Sequence, residues 1–205
     1  MLALLGSGSG RGLTRDKLVG LLWPDQPQEA ARHSLSDVVY RARKLVGEKS
    51  VRSEAEFLSL DRTVVRSDVL EFSEAIAQGD LSRAIELYRG PFLDGFHLPG
   101  APREFEVWLD HERSRLASEY EKAVEALAES AEADSDPVRA AEMWRRLMRQ
   151  DPTNSRVALR LMRTLAGAGD VGNAISFAEE HERFLREELD LDLPAPVREY
   201  VGALR

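Results

Sequence analysis

Cysteine is absent from the 205 residues. Its absence excludes a disulfide framework and any thiolate metal site, and it fits a reducing, cytoplasmic setting. Long apolar runs are absent too. No stretch approaches the roughly 20 residues that cross a bilayer. Met1–Gly6 is too short for a signal-peptide core and lacks a basic start, so no membrane partner is expected. Histidine is scarce, and His33, His97, His111 and His181 lack the His-x-x-x-His spacing of a metal site. The glycine run Gly6–Gly10 fits neither the Gly-x-Gly-x-x-Gly nor the Gly-x-x-x-x-Gly-Lys-Ser/Thr phosphate loop, and no nucleophile elbow occurs. Glu179-Glu180 and Glu187-Glu188 fall in charge-rich helical runs and read as solvated surface. Trp23, Trp108 and Trp144 read as packing. The expectation is a protein that is not an enzyme and needs no cofactor.

The length suits one large or two small domains, and an apolar share of 43% with 31% charged residues is that of a globular chain. Charge is uneven. Residues 1–50 hold eight Lys/Arg against five Asp/Glu, a balance of +3, and the rest hold 20 against 31, a balance of −11; together these give the net −8. A polyanion would meet the N-terminal part.

Residues 31–46 are the most informative stretch there. At 100° per residue Ala31, Leu35, Val38, Val39, Ala42, Leu45 and Val46 form one apolar stripe, expected to be buried. His33, Asp37, Tyr40 and Lys44 lie opposite, flanked by Ser36 and Arg41. Such a front donates hydrogen bonds to phosphates and base edges. From the stretch alone an ordinary amphipathic surface helix remains an alternative.

The flanking segments add weight. Met1–Leu5 reads as the end of a helix stopped by the glycine run. Thr14 suits an N-cap, with Asp16 in the first turn where the helix dipole favours an anion. Leu18, Leu21 and Leu22 make that helix's apolar face, and Trp23-Pro24 ends it. The turn Asp25–Gln28 then leads into the cationic helix, the order of a helix-turn-helix. After Gly47, a C-cap candidate, Val51–Ser53 and Phe57–Leu60 predict a short β-hairpin, the wing of a winged helix. Its tip carries Glu54 and Glu56, where a DNA-contacting wing would carry Arg or Gly.

From Ser67 the pattern becomes helical and repetitive. Gly79–Tyr88, Ser135–Trp144 and Gly169–Ala178 share an Asp–Ala–large-apolar spacing. Asp136 to Asp170, Ala140 to Ala174 and Met143 to Phe177 are each 34 residues apart, the tetratricopeptide period. The aspartate is expected to cap each helix, and the alanine to admit a close neighbour. A long helix over about 102–133 carries Phe105, Trp108, Leu109, Leu116, Tyr120, Ala123, Val124, Leu127 and Ala131 on its expected buried side. Asp151–Asn154 is a turn, and a final helix follows Pro194.

Leu13–Leu18 with Leu22-Trp-Pro24, Ala31–Leu35 with Arg41–Leu45, Asp68–Phe72, Leu87–Phe96 and Glu188–Asp192 together resemble the bacterial transcriptional activator domain architecture of Streptomyces antibiotic regulatory proteins. The resemblance spans nearly the whole chain, and 87–96 is its most specific part. It implies a mainly α fold: an OmpR-type winged helix-turn-helix over 1–66, lacking the family's upstream strands, and a tetratricopeptide-like domain over 67–205. The implied function is a transcriptional regulator bound to double-stranded promoter DNA, whose helical domain handles activation, self-association as a homodimer, or contact with RNA polymerase or another regulator. His33, Ser36, Tyr40, Arg41 and Lys44 are the expected DNA contacts. The alternative is a tetratricopeptide-type interaction module with a degenerate DNA-binding half. With only two complete helices and a hairpin, 1–66 is expected to lean on the rest or to fray.

Overall fold

The computed structural model describes residues 1–7 and 12–205; the first helix, expected to stop at Gly6, runs on through Gly6 to Ser7, and the rest of the glycine run lies outside the described residues. By packing, the chain divides into units of 1–120 and 121–205.

In the first unit, helix α1 (Leu2–Ser7) precedes strand β1 (Leu13–Thr14) and helix α2 (Arg15–Leu22). Thr14 caps α2 as its spacing predicts, its hydroxyl accepting from the Lys17 amide at 3.2 Å. Helix α3 (Gln28–Val46) follows the turn and ends at Gly47, whose φ of 135° is open to glycine. Strands β2 (Val51–Glu54) and β3 (Phe57–Leu60) pair antiparallel with Glu54 opposite Phe57, a hairpin with a two-residue turn. Beyond the hairpin that the sequence predicts, β1 pairs with β3 through Leu13–Leu58 and Thr14–Phe57 and completes a sheet of order β1-β3-β2. Gly12 permits that pairing: at φ 80° an added Cβ would stand 2.4 Å from the Leu58 carbonyl oxygen.

Leu4, Leu5, Leu18, Leu35, Val39, Val51 and Leu58 form the core of this unit, joined by Phe105 and Leu109 from well beyond residue 66. The stripe on α3 is only partly buried. Ala31, Leu35, Val39 and Ala42 are inside, whereas Leu45 is 85% and Val46 43% exposed. The apolar stripe therefore continues past the end of its cover, and the last turn of α3 carries it into solvent. Trp23 and Trp108 pack on the same core.

Helices α4 (Asp68–Gln78) and α5 (Leu81–Leu87) follow. Ser67 caps α4 through the Leu70 amide at 3.3 Å and donates its own proton to the Gly6 carbonyl at 2.7 Å. The 87–96 segment closes over Phe72. Tyr88 stacks on Tyr120 at 4.4 Å, and Arg113 donates to the Phe92 and Leu93 carbonyls at 2.8 and 2.9 Å.

Helix α6 (Arg103–Ala133) is the expected long helix, roughly 45 Å at 1.5 Å per residue. Its residues from 121 belong to the second unit, with α7 (Pro137–Gln150), α8 (Ser155–Gly167), α9 (Val171–Leu189) and α10 (Ala195–Leu204). The repeat signature has a physical basis. Asp80, Asp136 and Asp170 each cap their helix by accepting the amide three residues on, at 3.1, 3.0 and 3.3 Å. Ala84, Ala140 and Ala174 are fully buried, so neighbouring helices approach closely. Within the second unit Glu132 accepts from Trp144 Nε1 and Thr164 Oγ1, both at 2.8 Å, and pairs with Arg160 at 2.9 Å, knitting α6, α7 and α8 together.

Candidate nucleic-acid interface

Helix α3 is held by its apolar side against the sheet and α2, which leaves His33, Ser36, Asp37, Tyr40, Arg41 and Lys44 exposed. Tyr40 is 67% exposed, well above what packing alone would leave an aromatic side chain. Arg41 and Lys44 make no ion pair or hydrogen bond among the described residues. Both cations are therefore free to meet an anion. The Ser36 hydroxyl donates to the Arg32 carbonyl at 2.9 Å and keeps its lone pairs for a ligand. His33 Nε2 stands 3.7 Å from Asp37 Oδ2 one turn away, so a protonated His33 would offset the carboxylate at the centre of this face.

Ser36, Tyr40 and Lys44 line one concavity of about 660 Å³ with Arg15, Arg43 and Glu48. His33 and Arg41 lie on the same helix but do not line it. Arg15 went unnoticed in the sequence because it belongs to another helix. It opens α2, its amide donates to the Glu56 carbonyl at 2.8 Å, and its guanidinium donates to Ser53 Oγ on β2 at 2.7 Å. Arg43 is half-buried and serves the scaffold through Val51.

The hairpin is braced from below. Asp61, 6% exposed, accepts from the Thr63 hydroxyl at 2.6 Å, the Thr63 amide at 2.9 Å, and Arg52 Nε and Nη2 at 3.0 and 2.9 Å. These donors, Thr63 foremost, hold its carboxyl down to about 2. At the hairpin tip Glu54 and Glu56 are both exposed, with Ala55 between them at φ 50°. Among the described residues no group of three or more His, Asp or Glu side chains could hold a metal ion, and no helix is long and apolar enough to cross a membrane.

An eight-residue and a 19-residue helix joined by a turn, a hairpin against the second of them, and paired helices beyond define a winged helix-turn-helix protein with tetratricopeptide-like repeats. Residues 55–205 match the bacterial transcriptional activator domain, and the chain belongs to that family. The fold is similar to that of Mycobacterium tuberculosis EmbR, solved in complex with a low affinity phosphopeptide. The TM-score is 0.63 at 20% identity, over 99% of this chain and 57% of that one. The chain thus spans a little over half the length of that relative. No curated protein matches the sequence.

Proposed function

We propose that this chain is a cytoplasmic DNA-binding transcriptional regulator. Residues 1–66 read promoter DNA, and residues 67–205 contact RNA polymerase, another regulator or a second copy, with no cofactor. The observation that carries this reading is the free cationic and polar face of α3. Two unpaired cations, an exposed tyrosine and a serine project from a helix whose back is fixed in a core. In this arrangement Arg41 and Lys44 neutralise phosphates, with Arg15 bordering the same concavity as Lys44, while His33, Ser36 and Tyr40 lie nearest the base edges. Asp37 accepts from a cytosine amine.

Fluorescence anisotropy with labelled duplexes at several salt concentrations tests it. Lys44→Ala should weaken binding to every sequence and reduce the slope of log affinity against log salt by about one. An unchanged slope removes Lys44 from the interface.

The exposed carboxylates of Glu54 and Glu56 favour a second reading, in which the N-terminal half no longer binds DNA and the chain is a protein-interaction module. Wild-type protein showing no salt-dependent affinity for any duplex would select that reading.

A further inference from the structure

Four arginines of the second unit are engaged by acidic neighbours: Arg156 with Glu125, Arg160 with Glu129 and Glu132, Arg186 with Glu182 and Asp192, and Arg205 with Glu179. Arg139 and Arg198 are exposed without a side-chain partner among the described residues, and so are Arg145, Arg149 and Arg183, which alone of these five gather at one groove. The three surround a single groove of about 600 Å³ between α7 and α9. The spacing explains the gathering, because Arg145 and Arg149 are one turn apart on α7 and share a face.

The floor of this groove is apolar, formed by Met148 from α7 and by Phe177 and Phe184 from α9. It is also rigid. His181, 4% exposed, stacks on Phe177 with ring centroids 6.3 Å apart and planes 8° from parallel. The same ring is 3.0 Å from Ser155 Oγ, which ties α9 to the first residue of α8. An open apolar trough rimmed by unpaired guanidinium groups is unlike the rest of this unit, where residues 121–205 hold 12 Lys/Arg against 17 Asp/Glu.

We propose that the groove between α7 and α9 is a docking site for an acidic amphipathic segment of a partner protein. Apolar side chains of the partner fill the trough over Met148, Phe177 and Phe184, and its Asp and Glu carboxylates pair with Arg145, Arg149 and Arg183. Charge complementarity selects this occupant. A basic segment would meet three like charges, and an uncharged one would leave the guanidinium groups unused. A duplex offers no apolar side chains for the floor, and the net acidity of the unit opposes a long polyanion. Glu180 and Glu187 lie a turn either side of Arg183 on α9 yet pair with none of the three. They discourage acid at those two points and so set the partner's register. The inference rests on the assignment of 67–205 to partner contact and is independent of DNA binding.

The test uses the full chain and a short fluorescein-labelled peptide of Leu, Asp and Glu, with a counterpart carrying Lys at every acidic position. The acidic peptide should bind, more weakly as salt rises, and the Lys counterpart should not. The triple variant Arg145→Glu, Arg149→Glu, Arg183→Glu should lose about tenfold or more in affinity, which is 1.4 kcal/mol per decade. Its circular dichroism melt should match wild type, because the three side chains have no folded-state partners. Phe184→Ala should weaken the acidic peptide without altering its salt dependence.

Equal binding of the two peptides, or affinity untouched by the charge reversal, overturns the proposal. Displacement of the peptide by duplex DNA overturns it in favour of a polyanion surface. Wild-type self-association in sedimentation velocity that the triple variant abolishes overturns it in favour of a second copy. The Lys44→Ala measurement on the same preparations keeps the two readings separate: a silent groove with intact DNA binding sinks only this inference, and the converse sinks only the DNA reading.

Discussion

Arg43 and Val51 are joined by a forked hydrogen bond, with Nε and Nη2 of the arginine donating to the one carbonyl at 3.0 and 2.8 Å. The bond ties the last turn of α3 to the start of the hairpin. One of the cations clustered in the sequence at 41–44 is thereby committed to the scaffold, although it borders the same concavity as Lys44.

Arg43→Ala should therefore behave unlike Lys44→Ala. It leaves the carbonyl of Val51, a residue 2% exposed, without its charged donor, at a cost of about 2 kcal/mol in urea unfolding. DNA affinity should fall through misplacement of α3 while the salt slope stays at the wild-type value. A slope reduced by about one would instead make Arg43 a phosphate contact. Arg43→Lys should recover only part of the stability, because an ammonium lacks the planar fork.

Asp61 predicts an acid-side signature. Its carboxyl titrates at about 2 in the folded protein against an ordinary value of 3.8. Between these values the unfolded chain holds a proton that the folded one refuses. The stabilisation is complete above about pH 4 and drains away as the pH falls through about 2. Asp61→Asn should lower the urea midpoint at pH 7, and the gap between the two proteins should narrow steadily below pH 4. A gap that is constant down to pH 2.5 would show that the charge contributes nothing.

Gly12→Ala should detach β1. A methyl group there would collide with backbone at Leu58 and with Ser59 Cβ, 2.9 Å away, and the left-handed φ of 80° adds strain. A loss of about 2–3 kcal/mol is expected, together with faster amide exchange in β3. Unchanged exchange at residues 57–60 would mean that the two-residue strand adds nothing to the sheet.

The elements whose signals are local were legible in the sequence. Thr14, the three aspartate caps and the 34-residue period each depend on neighbours within a helix or a helix pair, and the structure places helices accordingly. Strand β1 escaped notice because two residues carry no alternation, and its register comes from β3, more than 40 positions away. The exposure of Leu45 and Val46 has a related reason. Helical angle says which side faces a partner but not where the partner stops. Helical periodicity picks out one helix face and so cannot include Arg15, which reaches the concavity from α2. Nor could it foresee that Phe105 and Leu109 complete the core around Leu35 and Val39, since nothing near them in sequence names their partner.

The double duty of Ser67 bears on how this protein can be taken apart. A single hydroxyl begins α4 and fastens the end of α1, and it stands at the joint where the repeat pattern starts. A protease cut or a cloning boundary at 66/67 would strand that hydroxyl on one fragment and its acceptor on the other. It would also strip Phe105 and Leu109 from the aliphatic cluster they cover. A fragment meant to carry the α3 face alone should therefore run on to residue 120, where the first compact unit ends.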